Sequence, residues 1–358
     1  MSDNSGYLVL GLMSGTSMDG LDLALCRFSN DVNRISYELV AAETTPYPYH
    51  LKEKLEDALS ISTQDLHELD QELGAFYAEQ ILKFNKKQNY APDLIASHGH
   101  TVLHQPDKGI TLQIGDGDAI AQKTQITVVS DFRLQDVSKG GQGAPLVPVG
   151  DRDLFGEYTF CLNLGGIANV SFNLDGKRIA CDISPCNMAL NTITAWIGIE
   201  YDNHGKLASK GKVNPSLLLR LNAIEYYGCM PPKSLGKEWF MWQFLPEIRD
   251  GQLPVEDTLC TVNEHIADQV SGLINQFYKG DSRVLVTGGG AYNNHLIGRI
   301  KNKCRAELVI PCKELISFKE AIVFAYLGLL RVKNEINVLA SVTGADSDTS
   351  AGIINRPN

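Results

Sequence analysis

An apolar run from Tyr7 to Met13 leads into Ser14-Gly15-Thr16-Ser17-Met18-Asp19-Gly20, and an alternating run from Leu21 to Phe28 leads out. Two β-prone runs bracketing small residues predict a hairpin with an extended, glycine-containing turn. Such a turn gathers backbone N–H groups at one point and adds the hydroxyls of Ser14, Thr16 and Ser17. Gly15 and Gly20 permit φ > 0 and leave no side chain in a ligand's way. Converging N–H groups form an anion-binding concavity, so a polyphosphate is the natural guest. The alternative is an ordinary polar turn. Two-residue turns are the commonest hairpin connection, and this one is seven residues long. Asp19 and Asp22 at its exit would repel a bare anion, and make sense if Mg²⁺ accompanies the phosphate as an outer-shell partner of one of them. Gly15 to Asp22, Leu21 included, is thus the first candidate nucleotide-phosphate site.

The chain has 358 residues, 44% of them hydrophobic, too long for one comfortable core, so two domains are expected. A net charge of −10 without a long basic run argues against nucleic acid as the main partner. The eight cysteines form no CxxC pair and several sit in apolar runs, which predicts reduced, buried thiols in a cytoplasmic protein. Neither a signal peptide nor a membrane span is expected: the longest apolar run, Ala321 to Leu330, is far too short to span a bilayer.

Beyond the first hairpin, Ile35–Ala42 reads as a third strand, His50–Ile61 and Thr63–Asn85 as helices, and Asp93–Ser97 as a short buried strand. Leu66, Leu69, Leu73 and Phe76 line one stripe of the second helix. In SHGHTVLHQP, His98 and His100 would share a strand face, but no carboxylate or thiolate lies near enough in sequence to complete a zinc set. Gly115-Asp116-Gly117 reads as a tight turn opening a helix, and Lys139 to Pro145 as a glycine-rich loop. From Thr159 the pattern restarts. Thr159–Leu164, Ile167–Leu174 and Arg178–Cys181 are three further strands, with Gly165-Gly166 in the first turn and a helix near Asn187. Three strands followed by helices, twice over, is the plan of the actin-like ATPase fold. Asp182 ends the third strand of the repeat, with capping of the next helix as its alternative role. Asp257–Tyr278 reads as a long amphipathic helix. Ser282–Thr287 is a strand, stopped by Gly288-Gly289-Gly290 before a helix at Asn293–Lys301, a junction that offers N–H groups and an open wall to a ligand. Lys206 and Lys233 either neutralise phosphate or are solvated, and Trp239 and Trp242 are expected to pack. Glu320 starts the last long helix, where interaction with the helix dipole is its plain role.

The string GLMSGTSMDGLDLAL resembles the opening signature of the anhydro-N-acetylmuramic acid kinases, cell-wall recycling enzymes of the sugar kinase, Hsp70 and actin superfamily. SHGHTVLHQP, DFR, GGQGAPLVP, NLGGIAN, PPKS with GKE, EAIVFAYLG and SVTGA resemble family segments in the same order, from Gly11 to Gly352. The chain departs from the family pattern at His100, where Gln is usual, and at 183–186, where Ile-Ser stands for Thr-Gly and Cys186 for a small residue. The resemblance implies a duplicated, ribonuclease H-like ATPase fold: two lobes with mixed sheets flanked by helices around a central cleft. The lobes are expected at 1–145 and 146–358, with the tail able to pack back on the first. It implies ATP and Mg²⁺ as cofactors and an amino sugar as substrate; the oligomeric state is not given by the sequence, with a homodimer left open. It makes Asp182 the catalytic base. It puts His98, Arg133 and Glu320 on the sugar side, with a surface salt bridge as Arg133's equal alternative. It adds Asn163, Gly165, Gly166, Gly288 and Gly289 to the ATP site. The implied reaction opens 1,6-anhydro-N-acetylmuramic acid with water and phosphorylates O6. A kinase of this fold acting on another sugar, or a sugar sensor without turnover, is the alternative.

Overall fold

The computed structural model describes residues 6–15, 18, 20–31, 34–249 and 253–358. Two compact units emerge, one formed by the chain up to Leu154 with Phe318–Asn358, the other by Phe155–Ser317.

The first unit is built on strands β1 (Tyr7–Ser14), β2 (Leu21–Asp31), β3 (Arg34–Thr45), β4 (Leu94–Ser97), β5 (His100–Gln105), β6 (Ile110–Ile114) and β7 (Val128–Ser130). The second holds β8 (Phe160–Leu164), β9 (Ile167–Leu174), β10 (Lys177–Pro185), β11 (Arg283–Thr287) and β12 (Glu307–Val309), and β13 (Ile353–Asn355) returns to the first. The larger sheet runs β13-β7-β4-β1-β2-β3 and the second β10-β9-β8-β11-β12. In each, three strands form an antiparallel meander, and two more add in parallel on the far side of the meander's first strand. One strand order used twice is the duplicated actin-like fold.

Period-two patterning explains the first core. Leu8, Leu10 and Leu12 of β1 and Leu21, Leu23 and Leu25 of β2 face the helix Thr63–Gln88, which contributes Leu69, Leu73, Tyr77 and Ile81. Ser62 caps that helix, its Oγ accepting from Asp65 N at 3.2 Å, and Asn89 ends it in the left-handed region. The opposite face of β1 is also buried. There Gly11 lies against the backbone of the helix Lys313–Val332 at Ala321 and Ala325. In the second unit, Leu162, Leu164, Val170 and Phe172 meet Leu259, Val262, Ile266 and Val270 of the helix Val255–Gln276.

Several boundaries differ from the sequence expectation. The helix placed at His50–Ile61 spans Tyr49–Glu56. The strand placed at Arg178–Cys181 runs on to Pro185, paired with β9 through a register shift between Asp182 and Ser184. The division expected at 145/146 falls after Leu154, and the tail joins the first unit because β13 pairs with β7 and the helix Lys313–Val332 packs on Gly11.

Candidate active site

In the second unit, β10 ends beside the segment 226–235. Asp182 N donates to Lys233 O at 2.9 Å, and the Tyr226 hydroxyl donates to Asp182 O at 2.8 Å. The carboxylate Oδ2 accepts from Leu235 N at 2.8 Å. Asp182 is half-buried, and desolvation pushes its carboxyl above the usual range, opposed by the Leu235 N–H. The capping alternative does not hold: the helix Asn187–Ala195 has Cys186 as its N-cap, without a side-chain cap bond. A carboxylate held at one oxygen, beside a register shift in its strand, with raised basicity, can take a proton. Lys233 does not face a phosphate site openly. Its Nζ donates to Tyr226 O at 3.1 Å and lies 4.5 Å from that ring's centroid.

The β8–β9 turn and the end of β11 meet at one corner of the second unit, because Asn163 pairs with Thr287 across parallel strands. Gly165 O accepts from Asn187 N at 3.1 Å, and Gly166 O accepts from Cys186 N at 2.8 Å and Met188 N at 3.0 Å. The turn therefore satisfies the orphan donors at the start of the helix Asn187–Ala195. Asn187 Nδ2 donates to Leu164 O at 3.0 Å, locking turn to helix. Gly288 has φ +80°, and a Cβ there would lie 2.8 Å from Leu164 O; one at Gly290 would lie 2.9 Å from the same oxygen. Two of the three glycines thus follow from close backbone packing. Exposed Gly289, where an added Cβ would meet nothing nearer than Asn187 Nδ2 at 3.5 Å, forms the open wall.

In the first unit the expected phosphate turn is described at Gly15, Met18 and Gly20; Thr16, Ser17 and Asp19 lie outside the described residues. Met18 N donates to Gly15 O at 3.2 Å. A Cβ on Gly20 would press on the Thr45 carbonyl of β3, so close strand packing already requires glycine there. Leu21 is fully buried in the core, which leaves only its backbone for a ligand. Asp22 stands on β2, its Oδ1 accepting from the Thr44 hydroxyl at 2.5 Å.

Arg133 is half-buried and is not a surface salt bridge. Its Nε and Nη2 donate to His98 Nε2 at 3.1 and 2.8 Å, and Nη1 donates to Gly143 O at 2.7 Å. His98 Nδ1 donates in turn to Gly99 O at 2.8 Å. Burial first, and the Arg133 charge second, hold His98 well below its ordinary pKa, so the ring is neutral and Nε2 is the acceptor. Burial brings Arg133 down to about 10, still charged at neutral pH. Glu320 lies well inside the helix Lys313–Val332, so the dipole reading does not apply. Desolvation raises its pKa, against the pull of Lys319 and Arg133.

His98 and His100 do not share a face. Gly99 has φ +71° and separates β4 from β5, and His100 Nδ1 bonds Ser14 Oγ at 2.9 Å instead. Among the described residues no group of three or more His, Cys, Asp or Glu could hold a metal ion. No described helix is long and apolar enough to cross a membrane.

A family model for anhydro-N-acetylmuramic acid kinase matches residues 7–357. The chain belongs to the anhydro-N-acetylmuramic acid kinase family. It is 36% identical over 373 residues to the anhydro-N-acetylmuramic acid kinase of Mannheimia succiniciproducens, covering 96% of this chain and 98% of that one. It is also 36% identical over 369 residues to the Coxiella burnetii protein of that name, covering 96% of each. Among solved structures, the Acidaminococcus fermentans (R)-2-hydroxyglutaryl-CoA dehydratase component A is similar with a TM-score of 0.46 and 12% identity, over 91% of this chain and 99% of that chain. The repeated strand order, not that likeness, carries the fold. As a member of the anhydro-N-acetylmuramic acid kinase family the chain is an enzyme, a kinase of carbohydrate metabolism.

The fold also joins groups that motif reading passed over. Tyr47 donates to Ser14 Oγ at 2.7 Å and lies 3.0 Å from the Tyr77 hydroxyl, so the base of the first hairpin sits on a buried hydroxyl chain. Nothing in the local pattern around Tyr47 or Tyr77 announces it. Trp239 packs against Tyr226 and Phe244 as expected, but Trp242 is 78% exposed.

Proposed function

We propose that the chain opens 1,6-anhydro-N-acetylmuramic acid with water and transfers the γ-phosphoryl group of ATP to the released O6, giving N-acetylmuramic acid 6-phosphate. The observation that carries this reading is Asp182, a partly desolvated carboxylate anchored through one oxygen to Leu235 N. Asp182 takes the proton of the water that attacks the anomeric carbon, as the bridge bond breaks and its electron pair passes to O6. The resulting O6 is the acceptor. Phosphoryl transfer needs alignment and charge stabilisation more than covalent help. The turn Gly165-Gly166 with Asn163, and the wall at Gly288-Gly289, are assigned to the nucleotide. So is the first hairpin, including Thr16, Ser17 and Asp19. Arg133, held by His98 and Gly143, and Glu320 are assigned to the sugar's polar groups. The chemistry that Mg²⁺ would supply, when bound, is neutralisation of phosphate charge. Asp22, with one oxygen engaged by Thr44, fits an outer-shell role reached through water better than a protein cage for the ion.

Incubation with Mg-ATP and the anhydro sugar should release one ADP per sugar 6-phosphate formed, read by coupled ADP assay and mass spectrometry. Turnover only with another sugar would sink the substrate assignment, and binding without ADP release across a sugar panel would mark a sensor.

The raised pKa of Asp182 also sets a pH dependence. The base works deprotonated, so kcat/KM should fall as pH drops through that raised pKa. The acid limb should therefore sit above that of an unperturbed aspartate. A profile flat down to the ordinary carboxylate range would remove Asp182 from the role.

A further inference from the structure

Of the glycine-rich loop 139–145 and the SVTGA string, only Gly143 has entered the chemistry above, yet the first unit joins the two segments through one side chain. Asp136 is fully buried. Its Oδ2 accepts from Gly143 N at 2.8 Å, and its Oδ1 accepts from the Thr343 hydroxyl at 2.8 Å. Thr343 grips the loop a second time, its carbonyl accepting from Gln142 N at 2.8 Å. Gly141 lies so close to the Asp136 carboxylate that a Cβ there would strike it. A buried carboxylate accepting two hydrogen bonds is a strong and costly-to-disturb anchor.

The consequence reaches Arg133. Gly143 has φ +65°, and its carbonyl accepts from Arg133 Nη1 at 2.7 Å. His98 Nε2 takes Nε and Nη2 on the other edge. Guanidinium carries five N–H donors in a planar fork. These contacts engage three and leave one on each terminal nitrogen. Both hydrogen-bond acceptors are neutral, and the one acidic group whose charge acts on Arg133 is Glu320, itself assigned to the sugar side.

We propose that Asp136 is a positioning residue for sugar recognition. It touches no substrate, but by fixing Gly143 between itself and Thr343 it sets where Arg133 presents its remaining donors to an oxygen-rich, acidic sugar. The proposal rests on the reading that Arg133 contacts the sugar.

A double-mutant cycle tests it, with steady-state kinetics for sugar and ATP separately and thermal melting for every variant. Asp136→Ala should raise the sugar KM on the order of tenfold, as expected when an anchored guanidinium loses its register, with the ATP KM little changed. Asp136→Asn should restore it, because the amide oxygen can take the place of Oδ2 and accept from Gly143 N, while the amide NH₂ donates to the Thr343 hydroxyl oxygen. In an Arg133→Ala background, Asp136→Ala should add no further rise. Independent, multiplicative effects of the two changes would overturn the proposal, as would a lowered melting temperature and kcat with an unchanged sugar KM. An unchanged sugar KM in Arg133→Ala alone would instead sink the underlying reading, and the proposal with it. If Asp136→Ala does not fold, Thr343→Val removes the hydroxyl at nearly constant volume, and the same cycle is run with it.

Discussion

Asp182→Asn should lower the phosphorylation rate roughly a hundred- to ten-thousandfold, the range a positioned general base contributes. The change is nearly isosteric. The new Oδ1 can accept from Leu235 N as the carboxylate does at 2.8 Å, and the backbone bonds to Lys233 and Tyr226 are untouched. The strand end and its surroundings should therefore persist, and nucleotide affinity should stay within about twofold, well under 1.4 kcal/mol. Single-turnover ADP formation, paired with a nucleotide titration, reads both quantities. Near-normal turnover in this variant would show that another group takes the proton. Loss of nucleotide binding along with turnover would show that Asp182 supports the structure instead.

The second large effect is on folding. Gly11 sits in the middle of β1, with the helix Lys313–Val332 against it. A Cβ placed there would collide with the Ala321 carbonyl and approach Ala325 N to 2.8 Å. Both obstacles are backbone in a buried helix, which cannot swing aside as a side-chain tip would. Gly11→Val should thus reach or exceed the upper end of the ~1–3 kcal/mol cost of overpacking. For a unit of this size that is a fall in melting temperature on the order of 10 °C, or failure to accumulate folded protein. Gly272→Ala is the matching control, an exposed glycine in the helix Val255–Gln276 with nothing within 4 Å of its Cβ position. Helix propensity predicts a gain there of about 0.5–1 kcal/mol. Circular dichroism melts of the two variants check the pair. A Gly11→Val protein as stable as the parent would refute the packing of the helix Lys313–Val332 on β1.

Most of the sheet-forming segments were legible because their signal is local. The alternation in β1 and β2, the apolar stripe of Thr63–Gln88 and the glycine turns each lie within a few residues of chain. Asp182 was singled out as a carboxylate where a strand stops, whereas β10 runs on to Pro185 and holds it beside a register shift. The triple glycine misled in part. Gly288 and Gly290 are glycines because they press on Leu164, a contact between β8 and the end of β11 that no local pattern announces. Glu320 was placed at a helix start because the apolar run begins there, whereas the helix starts at Lys313 with a more polar turn. His98 and His100 were put on one strand face because alternation assumes an unbroken strand, and Gly99 breaks it.

By itself the sequence determined the duplicated strand pattern, the family, and the short strings where glycine, hydroxyl and carboxylate groups crowd together. These follow from periodicity and residue type over short stretches, where backbone geometry alone decides the outcome. Tertiary structure decided which distant groups became partners. Thr343 reaches Asp136 across 207 residues, and Tyr326 of the helix Lys313–Val332 reaches Asp153 across 173. Such pairs form only once apolar faces have been buried and their backbones fixed. Burial also made His98 a neutral acceptor for Arg133 and raised the basicity of Asp182. Desolvation belongs to a place in the fold and not to a residue type.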